Sequence, residues 1–400
     1  MNPTRRALTA VFASTFLQLV AGFMLLPWLL YRLDENGVAV TTAGALAAAS
    51  WVGILAITPF VGRLVNRIGR QKTLLLACIM STASVAGLLL TSALLWWFLL
   101  VLLESLSAGL RWVVGEAMVV DLAPNGQCGK GVGLYETMVG STFFIGPMLL
   151  NWCGTSNPNV PWYALLMVGS ALIMSLWTGS PSQARDSSQN AVEVVGLPQA
   201  FRRHSALAVI AFVGGFFEGG VSTALPIYGL SLGFNAEVST WLVAASGVAS
   251  AVVMLPAGLL VDRMSRHHLH QSAANAHHAR RRMMLGCTIF TIGLTLLMPW
   301  LGAQPPVALL VAFAWGGAGG CLYTLAVIDM GERESGTALF EATAVLVLAY
   351  TLGAIAGPLA GAAAMQAWER IGFPLLLVAV SILGWWPLRQ STHRPIDVKM

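Results

Sequence analysis

The sequence predicts an all-α polytopic membrane protein: twelve transmembrane helices in two pseudo-symmetric six-helix bundles. Three observations carry that expectation. Of 400 residues, 56% are hydrophobic and only 10% are charged, with a mean hydropathy of +0.73. A soluble domain carries roughly 25% charged residues, so this chain has too little polar surface to face water. Its apolar runs last about 20 residues, the length that crosses the hydrocarbon core at helical rise. They lack the strict alternation of barrel strands, and lipid admits only helices or closed barrels. Finally, one motif occurs twice, as Gly62-Arg-Leu-Val-Asn-Arg-Ile-Gly-Arg70 and as Gly258-Leu-Leu-Val-Asp-Arg-Met-Ser-Arg266. Each copy begins inside an apolar run and ends in arginine, so each marks a membrane exit on the same side.

The spans lie near 7–30, 41–62, 73–91, 94–120, 131–152 and 161–179, then 205–230, 238–261, 283–301, 306–328, 337–364 and 371–388. The first follows Arg5 and Arg6 as a signal peptide would. It is too long for an ordinary signal core and lacks a cleavage site, which predicts an uncleaved helix. The fourth is the least apolar, because it holds Glu104, Arg111 and Glu116. The polar stretch 180–204 reads as a linker with room for a short surface helix. It separates an N-terminal bundle, 1–179, from a C-terminal bundle with a short tail, 205–400. The halves match beyond the motif: Val119-Val-Asp-Leu122 with Val327-Ile-Asp-Met330, Leu134-Tyr-Glu-Thr137 with Leu339-Phe-Glu-Ala342, and Gly146-Pro147 with Gly357-Pro358.

Orientation follows from the 22 Lys and Arg residues. Nineteen lie on the motif side, Arg32 and Arg370 lie opposite, and Arg111 lies within a span. The positive-inside rule then puts both termini and both motif loops in the cytoplasm, with the chain in the inner (plasma) membrane. The pI near 9.1 reflects this asymmetry, so no nucleic-acid partner is expected. Cys78, Cys128, Cys153, Cys287 and Cys321 are scattered, and their spacing implies neither a disulfide nor a zinc site.

Two six-helix halves with this signature after spans two and eight resemble the major facilitator superfamily. Its loop runs roughly Gly-x-x-x-Asp-Arg-x-Gly-Arg-Arg/Lys. Gly62, Arg67, Gly69 and Arg70 match, with Lys72 following Gln71; the second copy matches at Gly258, Asp262, Arg263 and Arg266, with Ser265 replacing a glycine. Arg111 and Gly115 match the family's Arg-x-x-x-Gly on helix four, and Gly146-Pro147 resembles the helix-five motif of its drug/proton-antiporter branch. The resemblance implies that helices one, four, seven and ten line a central cavity. It also implies that the signature acid sits near the start of helix eleven and helps close the cytoplasmic side. Here that acid is Asn66. An anion at a helix N-terminus is favoured by about 0.3–1 kcal/mol, so a weaker latch is expected in this half, unless the change is neutral drift, while Asp262 keeps the intact form.

Ionisable groups inside a span are costly and functional by default. Glu104 and Arg111 stand two turns apart on one face of span four, either as a working pair or as a static packing pair. Glu218 sits midway along span seven, in Gly214-Gly-Phe-Phe-Glu-Gly-Gly220, with no basic residue nearby in sequence. The glycines weaken the helix and allow close approach, and a carboxyl group in low dielectric holds a proton more readily than in water. That makes Glu218 the leading proton-coupling candidate; a permanently protonated structural acid is the alternative. Gln18, Phe23, Phe217, Tyr228, Trp315 and Tyr323 are candidates for the cavity wall. Glu136 and Glu341, with Asp121 and Asp329, read as gate acids facing the basic loops around Arg67, Arg70, Arg263 and Arg266.

His267, His268, His270, His277 and His278 crowd one expected cytoplasmic loop. They could bind metal, although a solvated loop explains them as well. No cofactor is expected, nor any enzyme activity. The reading is a monomeric secondary transporter working by alternating access, with a small-molecule substrate, a proton and the lipid bilayer as partners. Proton-coupled export of small amphipathic compounds leads. Proton-coupled uptake of a small organic anion or nutrient follows, then metal-ion efflux through the histidine loop, with a non-transporting receptor last.

Overall fold

Each of the twelve expected spans contains a helix. The computed structural model describes residues 3–124, 126–178, 197–269, 273–301, 304–368 and 370–390. Helix α1 is Pro3–Glu35; α2 runs as Val40–Ile57 and Val61–Ile68 around a 3-10 turn at Thr58–Phe60; α3 is Arg70–Leu90 and α4 is Leu94–Leu122. Then come α5, Cys128–Cys153, and α6, Val160–Ser175. The linker contributes a separate short helix, Leu197–Arg203, set at 89° to the helix that follows. That helix, α7, runs as Ser205–Gly215, a π-turn at Phe216–Val221, and Ser222–Ser231. The last five are α8 (Ala236–Leu269), α9 (Ala273–Leu301), α10 (Pro305–Gly331), α11 (Gly336–Ala367) and α12 (Gly372–Gln390). Among the described residues, eight helices are long and apolar enough to cross a membrane alone. Helix α5, with Lys130, Glu136 and Asn151, is not one of them.

Residue contacts divide the chain into two compact units. The first comprises Met1–Leu122, Met138–Ala200 and Glu334–Leu348; the second comprises Ala123–Thr137, Phe201–Arg333 and Ala349–Met400. The start of α5 therefore packs with the second unit, and the start of α11 packs with the first. In the first unit, Met24, Trp28, Leu46, Val85, Trp97, Leu150 and Val168 bring α1 to α6 onto a common core. The second unit is centred on Trp315, which stands edge-on to Phe373 at 6.0 Å and donates to Thr295 Oγ1 at 2.8 Å.

Hydroxyl groups stand beside two helix prolines. Proline lacks an N–H and disrupts the preceding turn. Before Pro59 in α2, Thr58 donates both its N–H and its hydroxyl, the latter at 2.6 Å, to the Ile54 carbonyl. Next to Pro256 in α8, the hydroxyl comes from α5. The Thr137 hydroxyl accepts from the Leu255 N–H at 3.1 Å and donates to the Ala251 carbonyl at 2.9 Å. It is spliced into the helical ladder between two groups that would ordinarily bond to each other.

Glycine permits close helix approach in each unit. In the first, a Cβ on Gly146 of α5 would lie 2.6 Å from Phe23 Cβ on α1, whose ring meets Phe143 at 4.2 Å. In the second, Gly357 of α11 faces Gly220 of α7, and a Cβ on either would overlap the other's backbone. Backbone cannot rotate aside as a side chain can. Gly357→Ala is therefore expected to cost about 1–3 kcal/mol through overpacking and to lower the thermal midpoint of the purified protein. Gly286→Ala is the control, since nothing lies within 4 Å of a Cβ there. Equal midpoints for the two variants would refute this account.

Candidate functional site

The carboxyl group of Glu218 lies where four helices of the second unit meet. It projects from the π-turn of α7, an insertion frequent at functional sites. Ser250 of α8 donates a hydrogen bond to Oε1, and the Tyr350 hydroxyl of α11 is a second partner. The fourth helix, α10, supplies Gly319, where a Cβ would come within 2.8 Å of the Glu218 nitrogen. Phe217 is fully buried against the same glycine. Tyr323 lies over Gly214 and meets the Tyr350 ring edge-on at 4.7 Å. The glycines around Glu218 are thus occupied by neighbouring helices, an alternative to the loosening read from sequence.

Two further aromatic candidates, Tyr228 and Trp315, pack with Phe373. Tyr228 is fully buried among Phe373, 5.0 Å away, and Trp315, 6.3 Å away. Sequence reasoning misses Ser250 and Tyr350. The available signals are thin: Ser246 and Ser250 stand one turn apart in the apolar middle of α8, and tyrosine is scarce, with six in the chain.

A second polar cluster lies in the first unit. Ser81 of α3 donates to Glu104 Oε1 at 3.0 Å, and Arg111 Nη1 donates to Gln18 Oε1 of α1 at 3.3 Å. Both Arg111 and Gln18 are buried. Glu104 and Arg111 feel each other's charge, yet the carboxylate's hydrogen bond goes to Ser81. Its other oxygen, Oε2, is buried without a hydrogen-bond partner among the described residues.

The two motif copies are built differently. Asp262 is buried, and its two oxygens accept from the N–H groups of Gly129 and Lys130, each at 2.8 Å. These donors belong to the first turn of α5, where a helix has no internal partners for them and favours an anion. Gly258, one turn earlier on α8, lies against Gly129 and Gly133 of α5. Asn66 is exposed and makes no hydrogen bond or ion pair among the described residues. In that copy Gly62 meets the side chain of Glu341, whose Cγ would stand 2.6 Å from a Cβ at the glycine, and Arg63 supplies the nearby positive charge.

The expected acids divide likewise. Arg70 is buried and pairs with Asp121. Asp329 bonds to Arg280 Nε at 2.9 Å, to His277 Nδ1 at 3.0 Å and to Arg333. Arg280 also pairs with Glu332. Sequence reasoning does not single out Arg280, although Arg280–Arg282 precede span nine as Arg70 and Lys72 precede span three. Glu136 is buried on α5, while Arg67 and Arg263 are exposed. The Arg266 side chain lies outside the described residues.

The histidine stretch is largely helical, because α8 extends to Leu269 and α9 begins at Ala273. His270 and the side chains of His267 and His268 lie outside the described residues. His277 joins the Asp329 network, with the His278 ring 5.8 Å away. Among the described residues, no group of three or more His, Cys, Asp or Glu could hold a metal ion.

His204, at the corner before α7, is buried, and burial with the charges of Arg203 and Arg333 lowers its pKa from about 6.5 to about 4. Between those values the unfolded chain holds the proton and the folded chain does not. Its contribution to stability is therefore complete above pH 6.5 and falls as pH drops toward 4. His204→Gln is expected to flatten the acid limb of midpoint against pH in detergent; an unchanged limb would rule this out.

With this architecture in place, comparison with known proteins becomes informative. A family model of the Major Facilitator Superfamily matches residues 11–340. The chain belongs to the major facilitator superfamily. It is 24% identical over 362 residues to an MFS-type transporter of Yersinia pestis, covering 88% of this chain and 86% of the relative. It is 22% identical over 369 residues to the MFS-type transporter YfkF of Bacillus subtilis, covering 90% and 89%. Among solved structures, the human organic anion transporter MFSD10 superimposes with a TM-score of 0.77 at 18% identity, over 97% of this chain and 100% of the other. The Escherichia coli fucose:proton symporter FucP gives 0.75 at 12% identity, over 97% and 98%. These structural likenesses establish the fold. As a superfamily member, the chain is a multi-pass membrane transporter for small molecules, with no enzyme activity implied.

Proposed function

We propose that the protein is a proton-coupled secondary transporter that exports small amphipathic compounds by alternating access, with Glu218 as the proton carrier. The observation that carries this reading is the placement of Glu218 beside two hydroxyls at a four-helix junction, with Phe217 and Tyr323 adjacent. A carboxyl group is the one side chain there able to take and release a proton. The sequence halves 1–179 and 205–400 alternate about the pathway, joined by 180–204. The protein works as a monomer in the inner membrane, its basic motif loops and termini cytoplasmic.

Two cytoplasmic seams hold the closed state in this reading. One joins α5 to α8 through Asp262, Gly258 and Thr137. The other joins α2 to α11 through Gly62 and Glu341, without an acid at Asn66. The second seam is the weaker, so it parts first. Arg70–Asp121 and the Asp329 network brace the neighbouring helix ends.

A specific observation favours a second reading, uptake of a small organic anion: the buried Arg111 bonded to Gln18, a bidentate donor suited to carboxylates. Purified protein in liposomes under an imposed pH gradient separates them. Accumulation of an amphipathic cation in vesicles that are acidic inside supports export by proton exchange. Accumulation of an organic anion in vesicles that are acidic outside supports the alternative. Movement indifferent to the gradient in both cases refutes proton coupling.

A further inference from the structure

Two cysteines that are unrelated in sequence spacing meet in the fold. Cys287 of α9 and Cys321 of α10 bring their Sγ atoms to 3.5 Å. Both are free thiols; Cys321 is buried and Cys287 half-buried. Beside Cys287, nothing lies within 4 Å of a Cβ at Gly286, whereas Met254 and Ser250 of α8 fill the space at Gly320 beside Cys321. A pair this close can be bridged by one atom that prefers sulfur.

The surroundings narrow what that atom can be. Zinc sites take four ligands, and no third His, Cys, Asp or Glu joins this pair among the described residues. Sulfur ligands select soft centres, which removes magnesium and calcium. The pair lies within spans nine and ten, Cys287 about one turn from the start of span nine, and a net charge in such apolar surroundings is costly, so the adduct should be neutral. Two thiolates on monovalent copper would leave a negative charge. Two thiols on divalent mercury would be neutral, but mercury prefers them on opposite sides, further apart than these. A trivalent arsenic carrying one organic group binds two sulfurs at nearly a right angle, is neutral, and suits sulfurs already in contact.

We propose that Cys287 and Cys321 form a dithiol capture site for monosubstituted trivalent arsenicals. In the reaction, an organoarsenous acid exchanges its two As–OH bonds for two As–S bonds. Each thiol proton leaves with a hydroxide as water, so two waters form and arsenic stays trivalent. A small dithiol in excess reverses the exchange. The half-buried Cys287 attacks the arsenic first, and Cys321 closes the ring, tying α9 to α10.

The test uses the full-length protein in detergent with phenylarsine oxide. After reaction, the protein is denatured, treated with maleimide and weighed intact. The wild type should carry one phenylarsenic group and label at three of its five cysteines. Cys287→Ser and Cys321→Ser should each carry no arsenical and label at all four remaining cysteines, whereas Cys78→Ser, Cys128→Ser and Cys153→Ser should keep capture. Binding should raise the thermal midpoint of the wild type and of the three variants that keep capture, and leave Cys287→Ser and Cys321→Ser unchanged. Size-exclusion profiles confirm that each variant is folded, with Cys287→Ala as a second substitution. Capture that survives in both key variants would overturn the proposal. So would absence of capture by native wild type, or equally tight capture by protein unfolded beforehand.

Discussion

Glu218→Gln is expected to abolish flux driven by a pH gradient while leaving substrate exchange without a gradient measurable. Glutamine matches the acid in size and keeps partners for the hydroxyls of Ser250 and Tyr350, so the four-helix junction should survive. What it lacks is a proton that can come and go. In liposomes, gradient-driven accumulation should fall at least about tenfold, equivalent to about 1.4 kcal/mol of lost driving. Exchange of labelled for unlabelled substrate at equal pH should continue. Glu104→Gln, in the other cluster, is the comparison. If Glu218→Gln keeps wild-type coupling and Glu104→Gln loses it, the carrier belongs to the first unit and the present assignment is wrong.

The second large effect concerns the unequal motif copies. Asp262→Ala should expose the start of α5, because Gly129 and Lys130 lose the carboxylate that accepts from both. Hydrogen bonds to a charged group contribute about 1.5–3 kcal/mol, so local opening should become roughly ten to a hundred times more frequent. Hydrogen–deuterium exchange in the peptide covering 126–137 reads this directly. Asn66→Ala should leave exchange at the start of α11 nearly unchanged, since Asn66 is exposed and makes no bond there. Asn66→Asp should slow it if the acid regains a helix terminus to cap. A response to Asn66→Ala as large as that to Asp262→Ala would remove the inequality on which the proposed order of opening rests.

The fold is legible because lipid leaves a chain few options, and twelve apolar runs with lopsided arginines exhaust most of them. The pairing of Arg70 with Asp121 is legible for a related reason, since both belong to a repeated pattern. Arg280 is hidden by the extra residues in the second loop, which move the basic partner of Asp329 away from the motif. The histidines mislead because two helices run on past the apolar spans, α8 to Leu269 and α9 from Ala273. Ser250, Tyr350 and the Cys287–Cys321 pair have no local signal strong enough to single them out. Their proximity depends on which faces of α7 to α11 turn toward each other, and hydropathy is nearly uniform around those helices. The glycines of α7 illustrate the limit most clearly. Sequence reveals that bulk is missing, and only packing reveals what fills the space.

Thr137 carries a consequence of its own. Its hydroxyl stands between the Leu255 N–H and the Ala251 carbonyl, so one rung of the α8 ladder beside Pro256 belongs to two helices jointly. Were α5 to withdraw, those backbone groups would have only each other, and bonding directly would restore the ordinary rung. The ladder of one helix thus records whether its neighbour is present. A single threonine makes that rung conditional, and its counterpart in the other half, Ala342, has no hydroxyl with which to do the same.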